Sequence, residues 1–293
     1  MKRFALLALL ALGSVCASAQ MQPSYQGLWW NSPGGSESGW GLNITHQGDI
    51  LFATWFTYDA DGKGMWLVIP RAELQPGIMD EDPYGYGIMY PAVFEYDGPI
   101  YRTTGPAFDA AHFDAAAVVA TKVGDARLRF TSPDEGTFSY IVNGLSGGKS
   151  ITRQVFGTAS SCAFGGTPGT HQDLWWRAPA NSESGWGLNL AQQGNVIFAT
   201  WFTYGADGKG LWLVASEVRE TSPGVWSGAL YSTTGPAYNS AWDASKVKVA
   251  PVGSMALTFD GMMNGTLATT VNGATITKAI TRQVFASPAS TCR

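Results

Sequence analysis

Cysteine, histidine and charge are all scarce in this 293-residue chain, and each shortage removes a class of function. The three histidines (His46, His112 and His171) are scattered, and no spacing among them suits zinc. Only 14% of residues are charged, the net charge is -4, and no Lys/Arg cluster marks a nucleic-acid partner. No G-x-S-x-G elbow signals a serine nucleophile. No apolar run is long enough for a transmembrane helix. The longest, Phe4 to Leu12, follows Lys2 and Arg3 and precedes Ala17-Ser18-Ala19, the layout of a signal peptide over residues 1–19. Gly13-Ser14-Val15 before Cys16 is a poor lipobox, so cleavage after Ala19 is expected to leave an exported chain with a net charge of about -6. Of the 3 cysteines, Cys162 and Cys292 then remain.

Glycine and tryptophan are abundant instead, at 36 and 12 residues, and both suit short strands and tight turns better than helices. The tryptophans recur. Leu28 to Val68 aligns without a gap on Leu174 to Val214, and about 29 positions are identical. The blocks YRTTGPAF (from Tyr101) and YSTTGPAY (from Tyr231) match next, and ITRQVF at Ile151 and Ile280 closes each copy. Two modules follow, residues 20–160 and 161–293. The first carries an insertion near 70–100, containing Asp80-Glu81-Asp82, Tyr84, Tyr86, Tyr90 and Tyr96. A long loop of this kind either carries function or is a tolerated surface insertion.

Within a module the apolar period is two. Trp40 to Thr45 alternates as a half-buried strand does, and Gln47-Gly48-Asp49 and Asp61-Gly62-Lys63-Gly64 read as hairpin turns. About eight antiparallel strands per module predict an all-β meander closed as a barrel, with a two-sheet sandwich as the alternative. A helical turn is expected only around Asp109 to Ala117. The runs SESGWGLN, FATWFTYDADGKG and TRQVF resemble a repeat of secreted bacterial proteins that brings no activity with it. Gly27-Leu28-Trp29 and the late Arg153 are similar to the calycin pattern of lipocalins and avidins. That resemblance implies a first-strand tryptophan packed beneath a last-strand arginine, hence a barrel, although Gly27 becomes Asp173 in the second copy.

Candidate binding residues come in matched pairs. Trp30, Trp40, Trp55 and Trp66 recur as Trp176, Trp186, Trp201 and Trp212, with Asn43 recurring as Asn189. Aromatic rings of this kind either fill the core or stack on sugar faces. Because Trp29 and Trp30 are adjacent, they point to opposite faces, and at least one platform per module is expected to be exposed. Glu37 and Glu183, in the Ser-Glu-Ser-Gly-Trp-Gly loops, are either ligand acceptors, glycosidase acids or partners of Arg153 and Arg282. The ion pair is the preferred reading, since no second repeated acid lies outside a turn. Asp59-Ala60-Asp61-Gly62 begins like a calcium loop but lacks the closing acid, and reads as a turn. No metal and no cofactor is expected. Cys162 and Cys292 flank the second module and are expected to pair in an oxidising compartment. The pattern predicts a non-catalytic binding protein gaining avidity for a polysaccharide or other surface ligand through tandem modules. The alternatives are a self-associating structural subunit and a hydrolase using Glu37 or Glu183.

Overall fold

The computed structural model describes residues 22–76 and 93–293. The insertion residues Asp80-Glu81-Asp82, Tyr84, Tyr86 and Tyr90 lie outside that range, while Tyr96 is a fully buried strand residue. The first module holds eight strands: β1 (Gly27–Asn31), β2 (Gly41–Gln47), β3 (Ile50–Tyr58), β4 (Gly64–Leu74), β5 (Phe94–Thr104), β6 (Val119–Phe130), β7 (Glu135–Val142) and β8 (Leu145–Arg153). Each pairs antiparallel with the next, and β1 closes on β8 through Trp29 opposite Arg153. After β9 (Cys162–Phe164) the second module repeats the pattern. Its strands are β10 (Asp173–Arg177), β11 (Gly187–Gln193), β12 (Val196–Tyr204), β13 (Gly210–Ser222), β14 (Val225–Thr234), β15 (Lys248–Asp260), β16 (Asn264–Val271) and β17 (Ala274–Arg282). The chain ends in β18 (Ser290–Cys292). Both modules are closed eight-stranded barrels, so the sandwich alternative is set aside. Closure removes the free strand edges that a meander would otherwise leave. The expected helical turn is a 3-10 turn, Ala115–Ala117, and it is not alone, because Ala244–Lys246 forms a second one before β15.

Strand periodicity explains the barrel interiors. In β7, Phe138, Tyr140 and Val142 face inwards while Thr137, Ser139 and Ile141 face outwards. Strands β2 and β3 depart from this alternation, because β2 is buried along its whole length. One face lines its own barrel and the other packs on the second module. At that junction the Trp66 indole N–H donates to the Thr203 carbonyl at 2.9 Å, and Trp212 donates to Thr57 at 2.9 Å. Asn43 donates to Thr200 at 3.3 Å and Asn189 to Thr54 at 3.0 Å. The two halves are therefore related by a pseudo-twofold axis, as in a dimer whose subunits have been fused.

The halves also exchange segments. The backbone N–H groups of Phe285 and Ala286, after β17, donate to Gln47 of the first module. Those of Phe156 and Gly157, after β8, donate to Gln193 of the second. Cys162 and Cys292 form the expected disulfide, joining β9 to β18 in a separate two-stranded sheet. The segment between the modules is thus pinned at both ends, and the barrels share one interface.

At the closed end of each barrel the last-strand arginine covers the first-strand tryptophan. The Arg153 guanidinium lies 4.8 Å from the Trp29 ring centre and Arg282 lies 5.1 Å from Trp175. Arg153 donates to the carbonyls of Ser24, Gln26 and Pro133, and Arg282 to those of Thr170 and Gln172. Arg282 also pairs with Asp173 at 2.7 Å, where both side chains are almost fully buried. In the first copy Gly27 occupies the equivalent position, where a Cβ would sit 2.8 Å from the Arg153 guanidinium.

Candidate functional site

Two loops complete the barrels from outside. The chain between β5 and β6 leaves its own barrel and covers the mouth of the second. Its Gly105 N–H donates to Gly208 and its Phe108 N–H to Tyr204, both at 3.0 Å. Phe108 then meets Trp201 edge-on and Phe113 stacks near Tyr204. The chain between β14 and β15 returns the contact. Gly235 donates to Gly62 and Tyr238 to Tyr58, and Tyr238 and Trp242 cover Trp55 and Trp40. Glycine makes the fit possible at Gly39 and Gly185, whose φ angles are +112° and +118°. A Cβ at either position would lie 2.6 Å from a methyl of Val247 or Val118 on the covering loop.

These covers decide the fate of the candidate tryptophans. Trp40, Trp55, Trp66, Trp186, Trp201 and Trp212 are each at most 5% exposed. Trp55 and Trp201 lie inside the barrels, Trp66 and Trp212 in the inter-barrel interface, and Trp40 and Trp186 under the mouth loops. They are core, which corrects the expectation of a platform at these positions. Asn43 and Asn189 are likewise buried in the interface, bonded to threonines rather than open to a ligand. Trp30 is partly exposed, but its ring lies against its own loop, about 3.1 Å from where a Cβ on Gly34 would sit. Ala180 replaces Gly34 in the second copy, and there Trp176 lines an open groove.

The acidic residues find different partners from those expected. Glu37 pairs with Lys149 at 2.6 Å, and Glu183 pairs with Lys278 at 2.5 Å and Arg177 at 3.4 Å. Arg153 and Arg282 sit at the opposite end of each barrel, so the Glu–Arg assignment is corrected. Each carboxylate also accepts a hydrogen bond from an indole N–H, Trp40 to Glu37 and Trp186 to Glu183, both at 3.0 Å. Burial alone would raise the Glu183 carboxyl. The bonds from Lys278 and Trp186 and the nearby Arg177 outweigh it and hold the group below its ordinary range. A carboxyl held ionised in this way is a poor proton donor near neutral pH. Asp61 accepts from the Lys63 backbone and Asp59 from the Ala60 backbone, as turn residues do, and Asp59 also pairs with Arg102. Among the described residues, no group of three or more His, Cys, Asp or Glu side chains is placed to hold a metal ion.

Two cavities flank the second Ser-Glu-Ser-Gly-Trp-Gly loop. On one side, a groove of about 420 Å³ runs between the barrels. Its walls carry Phe52, Trp66, Tyr101, Trp176, Trp186 and Phe202, with Thr54, Ser184 and Gln283 as polar neighbours. The Trp176 indole nitrogen is buried and meets no protein acceptor. On the other side, the mouth of the second barrel opens into a polar cavity of about 490 Å³. Arg177, Glu183, Lys278, Thr275 and Thr277 line it from the second module, and Asp109 and His112 from the covering loop of the first. Sequence reasoning reached Trp176 and Glu183 but missed Arg177 and the covering loop. The shared block TTGPAF/TTGPAY was the available signal for that loop. The chain matches no protein-family model, no curated protein and no solved structure.

Proposed function

We propose that this is an exported, non-catalytic binding protein that takes a saccharide in the groove between its barrels. The observation that carries the reading is the groove itself: its aromatic walls come from both modules, and Phe52, Tyr101 and Trp176 among them keep partly exposed rings. Aromatic faces bind the apolar faces of sugar rings. Ser184, Thr54 and Gln283 add donors and acceptors at its margin. The paired, ionised state of Glu183 favours binding over hydrolysis. Avidity between freely swinging modules is not part of this reading, because the groove needs both barrels in their docked arrangement.

The test is a glycan array probed with residues 20–293, followed by tryptophan-fluorescence titration of each hit. Binding that shifts the emission and is weakened at least tenfold by Trp176→Ala supports the groove. A blank array, or hits indifferent to that substitution, overturns it.

A further inference from the structure

The groove and the barrel mouth touch opposite sides of the same short stretch of chain. Trp176 lines the groove and its neighbour Arg177 lines the mouth. This is what adjacent residues of an extended strand do, since successive side chains leave opposite faces. The loop repeats the division, with Ser184 on the groove side and Glu183 on the mouth side. One loop is thus the ridge between an aromatic cleft and a polar cavity.

The two cavities are chemically complementary. The mouth offers donors on Arg177 and Lys278, acceptors on Glu183 and Asp109, and the hydroxyls of Thr275 and Thr277. Arg177 meets Glu183 through its Nε at 3.4 Å, and its side chain is about a third exposed. A lining that mixes donors and acceptors with little net charge suits a neutral polyol, whose hydroxyls each donate and accept. The first barrel lacks this combination: Asn31 stands where Arg177 is, and Asn239 of the covering loop stands where Asp109 is.

We propose that the barrel-2 mouth is a second saccharide subsite, and that groove and mouth together hold one linear chain of equatorially linked pyranoses laid over the Ser182–Trp186 loop. The proposal rests on the saccharide reading above and extends it. It assigns recognition to Arg177 and Asp109 and confines it to one end of a nearly symmetric molecule. A short oligomer occupies the groove alone, and a longer one reaches the polar cavity.

The test is calorimetric titration of residues 20–293 with β-1,4-linked glucose oligomers of two and six units, and with the matching N-acetylglucosamine oligomers. The expected result is about tenfold tighter binding of a hexamer than of its dimer. Arg177→Asn and Asp109→Asn, which install the residues found at the mouth of the first barrel, each remove most of that gain and leave the dimer affinity unchanged. Equal affinity for dimer and hexamer, or a hexamer gain untouched by both substitutions, overturns the second subsite while leaving the groove standing. If neither series binds the unmodified protein, the subsite and the saccharide reading fall together.

Discussion

His46 provides a sharp test of the packing at the closed end of the first barrel. Its ring is fully buried and stacked on Tyr25, with its edge against Phe164. The Tyr25 backbone N–H donates to Nδ1 at 3.1 Å, which fixes the neutral tautomer with the proton on Nε2, 3.1 Å from the Tyr96 hydroxyl. Protonation would set a second donor against the Tyr25 N–H inside a closed apolar space. Burial, with a smaller push from Arg153, lowers the imidazole from 6.5 to about 3. The sign follows from linkage. The unfolded chain binds this proton below about pH 6.5 and the folded chain does not, so stability is whole above that pH and declines as pH falls, levelling off near pH 3. At pH 4.5 the single group removes about 3 kcal/mol, rising to about 5 kcal/mol at the plateau. His46→Gln isolates the effect, because Gln192 holds the same place in the second barrel and its side chain accepts the His171 N–H at 2.8 Å. Urea unfolding followed by tryptophan fluorescence at pH 7.5 and pH 4.5 gives four free energies. The substituted protein should lose about 3 kcal/mol less than the original between the two pH values. Equal losses would refute a buried neutral His46. Other titrating groups, including His171 at about 4, act in both proteins and cancel.

Replacing both Cys162 and Cys292 with serine should cost up to about 5 kcal/mol in the chain-entropy account of a 130-residue loop. Denaturant midpoints with and without reductant check it, and reductant should leave the double variant unmoved. Trp66→Phe strands the Thr203 carbonyl at the interface and should cost about 1–3 kcal/mol, with Trp212→Phe matching it on the other side of the axis. Unchanged midpoints in both would deny those bonds. Gly185→Ala puts a methyl into Val118 at a φ of +118° and should lower stability by about 1–3 kcal/mol. A thermal midpoint equal to that of the parent would mean the covering loop is not seated there.

The duplication, the eight-strand modules and the disulfide were legible because each leaves a mark that needs no tertiary knowledge: an ungapped match, a period of two, a pair of lone thiols. The tryptophans were not legible in the same way. In Ile50 to Tyr58 both faces are apolar, and nothing in the run tells a residue facing the barrel from one facing the neighbouring module. Trp55 is the first kind, and Phe52, on the same strand, is the second, lining the groove between the barrels. The Glu37 partner was misassigned for a geometric reason. Lys149 and Arg153 share a strand face and lie four residues apart, roughly 13 Å, so they sit at opposite ends of the barrel. Sequence adjacency to a loop says nothing about which end that loop closes. Arg177 was overlooked because it differs from Asn31, and attention to what the copies share hides what distinguishes them.

The exchanged mouth loops set an order on the making of the molecule. Synthesis is vectorial, and domains generally fold as units, the N-terminal one first. The first barrel has all its strands once residue 153 has emerged, yet Tyr238 and Trp242, which cover Trp55 and Trp40, come about 85 residues later. Until then its opening is bare aromatic surface. The second barrel has no such interval, because the loop that covers it was made before its own first strand. The earlier half is thus born exposed and the later half born sheltered, and Cys292, which follows the last strand of the second barrel, allows the disulfide to form only after every barrel strand has been made.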